Sequence, residues 1–199
     1  IATENRLQRL LGIKKVPHYS TLCKFLKRIE KNILRKMIHA CARIINIVES
    51  KSIIDSTGFC LTNPSHYYLK RINGKSPKNF VKTTLVVDAN TKIVLNAQTH
   101  SKNIHDINDF IPLIDELSGI TKRILADKAY DSTNILEYCR VNNISPMIPV
   151  REWKNARKGY GAKPHIGGKL RKKMFDNFDK TAYAQRNIVE SINSAIKRT

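Results

Sequence analysis

The sequence predicts an α/β fold, a mixed sheet flanked by helices, behind a small basic helical segment. Three observations carry that prediction. Apolar residues recur at helical spacing up to about residue 45. The period shortens to that of strands from Lys51. From Asp106 onward, helix and strand patterns alternate, as they do where a sheet is built with crossovers.

The 199 residues are enough for one ordinary domain with a full hydrophobic core and a small appendage. Hydrophobic residues make up 41% of the chain, which excludes a disordered tail. No apolar run approaches the roughly 18 residues of a membrane span, and no signal-peptide pattern opens the sequence. The expectation is a cytoplasmic, nucleoid-associated protein with no membrane partner. The sequence starts at Ile1 rather than Met and stops two residues after Lys197, so a truncated copy is expected. Cys23, Cys41, Cys60 and Cys139 form no Cys-x-x-Cys pair, which argues against a zinc ribbon and for buried thiols in a reducing compartment.

Charge is the strongest compositional signal. Lys plus Arg number 36 against 16 Asp plus Glu, a net +20. Self-repulsion on that scale is usually balanced by a polyanion, and nucleic acid is the leading partner. The competing reading is a nonspecifically basic or ribosome-associated protein.

Taken in order, residues 1–48 read as a basic helical segment. Its first 43 residues hold eleven Lys or Arg against Glu4 and Glu30. Leu22, Phe25, Leu26, Ile29, Ile33 and Leu34 share a helical stripe after the break at Pro17, with Ser20 or Thr21 as N-cap. Two readings stand: a helix-turn-helix-like unit that binds DNA, or a packing helix with a solvated basic face. Residues 49–199 form the sheet domain. "SIIDSTGFCLT" reads as a strand, and "TTLVVDANTKIVLNAQT" as two strands joined at Asp88. "HDINDFIPLIDEL" reads as a helix with Ile107, Phe110, Ile111 and Ile114 on one stripe, capped near Asp106. "TKRILADKAYD" gives a strand ending at Asp127, "DSTNILEYCRVNN" a helix capped by Asp131 or Ser132, and "ISPMIPV" a last strand. Three strands in a meander followed by alternating helix and strand are the order of an RNase H-like sheet. Residues 151–180 interrupt the pattern with ten Lys or Arg, three acids and four glycines, and read as a basic loop or insertion lying on a polyanion.

The chemistry sits in three carboxylates. On a helix, Tyr183, Arg186, Glu190 and Lys197 fall within a stripe roughly 60° wide, while Ile188, Val189, Ile192, Ala195 and Ile196 take the opposite side. The bland alternative is a solvated face with an Arg186–Glu190 pair, worth about 0.2–0.5 kcal/mol. Asp55 interrupts an apolar strand, where an ionised carboxylate is costly unless paired, hydrogen-bonded or bound to metal. Asp127 ends a strand where the sheet edge opens into a cleft. In an RNase H-like sheet the first and fourth strands are neighbours, so Asp55 and Asp127 come side by side, with Glu190 supplied by the late helix. Divalent cations make such a cluster stable and can promote phosphodiester chemistry. Each aspartate also has a structural alternative: Asp55 as the start of a turn, Asp127 as a cap.

Tyr183-x2-Arg186-x3-Glu190-x6-Lys197, "IIDSTGF" and "ADKAYDS" together resemble the DDE transposases of prokaryotic insertion sequences, over residues 51–199. Ala129 stands where that family usually has Gly. The resemblance implies an RNase H-like catalytic domain with Asp55, Asp127 and Glu190 as catalytic residues and ligands of two Mg²⁺ ions, which Mn²⁺ can replace. It implies cleavage at element ends and strand transfer into target DNA, on double-stranded DNA and as a possible homodimer. Tyr183, Arg186 and Lys197 are implied as DNA contacts, and the basic stretch adds Lys169, Arg171, Lys172 and Lys173. The rival from another class is a catalytically dead remnant that only binds DNA.

Overall fold

The computed structural model describes residues 8–10, 12, 15–45, 47, 49–60, 80–102, 104–151 and 166–198. Its contacts cluster into two compact units, residues 1–37 and residues 38–199. The first unit contains helix α1 (Tyr19–Arg28) and the start of α2 (Lys31–Ile44). His18, not Ser20 or Thr21, caps α1: its Nδ1 accepts from the Ser20 amide. No residue of α1 is buried; Phe25 and Leu26 are each about three-fifths exposed, at 60% and 59%.

The second unit is built on a five-stranded sheet: β1 (Ser50–Cys60), β2 (Phe80–Asp88), β3 (Val94–His100), β4 (Thr121–Ala126) and β5 (Ser145–Met147). Their order is β3-β2-β1-β4-β5. The meander β1–β2–β3 is antiparallel, and β4 and β5 run parallel to β1. That order and those directions define an RNase H-like sheet. The first turn forms where the sequence marks it: the Asp88 carboxylate accepts from the amides of Asn90 and Thr91, and Lys92 takes a left-handed φ of 62°.

Strand alternation divides the core into two layers. On one face Ile54, Val86, Leu95, Ile124 and Ala126 pack with Phe110, Leu113 and Ile114 of α3 (Ile107–Asp115), and with Ile135, Leu136 and Cys139 of α4 (Thr133–Val141). On the other, Ile53, Leu85, Val87 and Leu125 meet Val189, Ile188 and Ile192 of α7 (Asn187–Arg198). Leu113 takes the place on the α3 stripe that the spacing gives to Ile111, which is 36% exposed. Pro112 sits inside that helix. Among the described cysteines only Cys139 is buried, its thiol pushed up to about 12 by burial, whereas Cys23 and Cys41 are exposed.

Much of the stretch read as a loop carries helix: α5 (Lys169–Asp176) and α6 (Lys180–Tyr183). Its few apolar side chains are the reason. Met174 is buried against the α3–α4 layer, and Leu170 and Ile166 pack beside it. Residues 152–165, with Trp153 and Tyr160, lie outside the described residues.

Candidate active site

Register alone brings two of the carboxylates together. Ile53 pairs with Leu125 and Ile54 with Ala126 in the parallel β1–β4 ladder, so Asp55 and Asp127 are the next positions on neighbouring strands. Each lies two residues beyond a member of the α7-facing layer, Ile53 and Leu125, and therefore on that same face. Asp127 keeps an extended backbone (φ −77°, ψ 174°), and its Oδ1 accepts from the Ala129 amide at 2.7 Å, capping a 3₁₀ turn at Lys128–Tyr130. The cap is thus made by the same side chain that the register sets beside Asp55.

α7 covers this face because Val189, Ile188 and Ile192 bury against the sheet. The chain enters through α6 and a 3₁₀ turn (Ala184–Arg186), so the Tyr183–Lys197 stretch is bent at its start rather than one continuous helix. Arg186 projects between the carboxylates. One guanidinium nitrogen donates to Asp55 Oδ1 and the other to Glu190 Oε1, each at 3.1 Å. Asn193 Nδ2 donates to Asp55 Oδ2 at 3.2 Å. Asp55 is thus held from both oxygens, by Arg186 of the 3₁₀ turn and by Asn193 of α7. Glu190 is half exposed, at 56%.

Electrostatics follow from that packing. Burial pushes the Asp55 carboxyl above the usual carboxylate range; Arg186 opposes the shift, and the Asp127 charge adds to it. Burial works against the Arg186 charge, but Asp55 and Tyr183 more than compensate and its pKa is raised. Burial likewise raises the Tyr183 hydroxyl. The Tyr183 ring packs on Phe178 with centroids 5.1 Å apart. Lys197 Nζ lies 5.8 Å from the centroid of the Phe59 ring, four residues further along β1 than Asp55.

The basic stretch divides. Lys169, Lys172 and Lys173 are exposed. Arg171 instead forms an ion pair with the fully buried Asp131 side chain and donates to the Arg151 carbonyl at 2.9 Å. The Arg151 amide also donates to Asp131, at 2.6 Å, and its Nε to the Lys128 carbonyl, at 2.9 Å. Asp131, marked in the sequence as a helix cap, is the centre of a clasp four residues from Asp127.

Beneath Asp55, on the α3 face, runs a connected polar chain. Tyr130 and Thr84 both bond Ser56, at 3.1 and 2.8 Å; Thr84 donates to Asp109 at 2.6 Å, and Asp109 holds His100 at 2.6 Å. His100 is therefore engaged on the face opposite the carboxylates. Asn193 is the functional neighbour that sequence reasoning passed over. Its helical angle lies about 20° from that of Arg186, so the stripe contained the signal.

Among the described residues, no three His, Cys, Asp or Glu side chains are gathered closely enough to hold a metal ion. The donor set nonetheless fits one in kind. Asp55, Asp127 and Glu190 offer the hard oxygens that Mg²⁺ and Mn²⁺ take. The Arg186 guanidinium stands between Asp55 and Glu190 and pairs with both.

Fold and site define an RNase H-like domain with two carboxylates side by side where the pairing of two adjacent parallel strands stops, and an Arg186–Glu190 pair beside them. The chain belongs to the transposase DDE domain family, whose model matches residues 47–199. It is 30% identical over 166 residues to an uncharacterized protein of Aquifex aeolicus (strain VF5), covering 77% of this chain and 50% of that protein. The chain thus spans about half the length of that relative. Solved structures similar to parts of it include a piggyBac transposase synaptic complex with hairpin DNA (14% identity, 58% of this chain, 27% of that one, TM-score 0.37). Another is a simian T-cell lymphotropic virus intasome in complex with a PP2A regulatory subunit, B56 gamma (17% identity, 69% and 45%, TM-score 0.34). No helix among the described residues is long and apolar enough to cross a membrane.

Proposed function

We propose that this chain is the catalytic part of an insertion-sequence transposase, carrying out metal-dependent cleavage and strand transfer on double-stranded DNA. The observation that carries this reading is the register that sets Asp55 beside Asp127 on the α7 face, where Arg186 links Asp55 to Glu190. Asp55, Asp127 and Glu190 would hold two Mg²⁺ ions, or Mn²⁺ in their place. Bound there, the ions would supply Lewis-acid stabilisation of a phosphodiester and activation of the attacking hydroxyl. The chain's own part is to position. β1 and β4 fix the two aspartates, Asn193 orients Asp55, and α7 brings Glu190 to them. Tyr183, Arg186, Lys197, Lys169, Lys172 and Lys173 would hold phosphates around the site, in keeping with a net charge of +20. Residues 1–48 would add a DNA-binding segment, and two copies would meet on DNA.

The test is cleavage of a labelled duplex bearing the element ends, with Mg²⁺ or Mn²⁺. Asp55→Ala, Asp127→Ala and Glu190→Ala should each reduce nicking at least about a thousandfold while DNA affinity stays nearly unchanged. Unimpaired cleavage by Asp127→Ala would end the proposal. A second reading is favoured by the guanidinium seated among the carboxylates: a remnant that binds DNA without cutting it. It expects salt-sensitive binding and no nicking at any metal concentration.

A further inference from the structure

We infer that Arg186 is a built-in counter-cation that a divalent ion must displace, so that the chain sets its own metal affinity through this side chain. The inference rests on the proposed metal site at Asp55, Asp127 and Glu190, and concerns what Arg186 does to it.

Three observations carry it. Arg186 engages two of the three carboxylates at once, through different nitrogens, both at 3.1 Å. A bidentate bridge of this kind holds two acids apart, where a shared ion needs their oxygens to converge within about 2.1 Å of a single centre. The side chain is also well buried, at 18% exposure, although its Nε finds no hydrogen-bond partner. A buried guanidinium with an unmet donor is not at its best hydrogen-bonding position; the pull of Asp55 and Glu190 keeps it there. Finally, Asn193 is more than nine-tenths buried and donates to the other Asp55 oxygen, a hold on that carboxylate that does not depend on Arg186.

A solvated Arg–Glu pair, the bland reading of the i,i+4 spacing, does not account for this geometry. Such a pair would not reach across to β1, and it would leave Nε free to meet water. Here the guanidinium instead fills the gap in positive charge between strand and helix. When an ion binds, Arg186 has to leave at least one carboxylate. The two cations therefore compete for the same oxygens, and each lowers the other's occupancy by the same factor.

The experiment is a Mn²⁺ titration of the full chain, free of DNA, with unbound Mn²⁺ read by electron paramagnetic resonance. Arg186→Gln removes the charge and should tighten Mn²⁺ binding roughly fivefold or more. Arg186→Met, which keeps the apolar stem, serves should the Gln variant not fold, and circular dichroism checks both. Equal or weaker Mn²⁺ binding in the folded variant overturns the inference. Asp55→Asn separates the two levels. If it abolishes Mn²⁺ binding while Arg186→Gln leaves affinity unchanged, the metal site stands and the counter-cation role fails. If Mn²⁺ binding is absent throughout, or indifferent to Asp55→Asn, the proposed site and the inference fail together.

Discussion

Asp55 carries the site's tension in a single side chain. It is buried beside another carboxylate, and Arg186 only partly offsets the cost, so its carboxyl is held above the ordinary range. The linkage sign follows. As pH rises past about 4, the unfolded chain gives up this proton first while the folded one retains it. Folding stability contributed by the group therefore falls as pH rises through the folded-state titration, by at most about 1.4 kcal/mol per pH unit. Chemical denaturation between pH 4 and 7 should show Asp55→Asn gaining on the parent chain as pH increases; a constant difference would contradict the assignment. The sequence made Asp55 legible because an acid stood where a strand needs a hydrophobe. Asn193 stayed hidden because an Asn on a polar helical stripe looks like any solvated residue until β1 is placed under it.

At the level of elements, the clearest lesson is the clasp around Asp131. Arg171 on α5, the backbone of Arg151 and the Asp131 carboxylate converge just after the turn that begins at Asp127. The clasp ties both flanks of residues 152–165 to the loop carrying a site carboxylate. Breaking a buried ion pair by removing one partner typically costs 3–5 kcal/mol. Arg171→Ala should therefore lower unfolding free energy by about that much, whereas Lys172→Ala, one residue along on the exposed side of α5, should change it by less than about 0.5 kcal/mol. Equal effects in urea unfolding would refute the distinction. Charge counting grouped these residues as one basic run, because sequence gives the number of cations but not which one meets a buried acid. The helical character of α5 was similarly masked: its apolar anchors, Leu170 and Met174, are only two among many lysines and arginines. By contrast, β1 to β4, α3, α4 and the body of α7 were readable, since each carries an apolar period of its own type over most of its length.

For the whole molecule, the order β3-β2-β1-β4-β5 explains why Asp55 and Asp127 come side by side despite their separation in sequence, with Glu190 joined to Asp55 through Arg186. α7 packs on one face of the sheet, and on that face the β1–β4 pairing stops just before Asp55 and Asp127. Periodicity could supply the strands, but their neighbours came only from matching the succession of elements to a known sheet. β1 has a further consequence, because it is longer than the partner on one of its sides. Its pairing with β4 stops at Ile54, while its pairing with β2 continues to Cys60. Among the described residues, Asp55 therefore stands where an interior strand becomes a border strand. Amide hydrogen exchange should register that step: protons at residues 52–54 should exchange roughly tenfold or more slowly than those at residues 57–59. Uniform protection along β1 would rule the step out. The carboxylate is thus rooted in backbone paired on both sides and followed by backbone paired with β2 alone, so the two halves of one strand differ in what holds them.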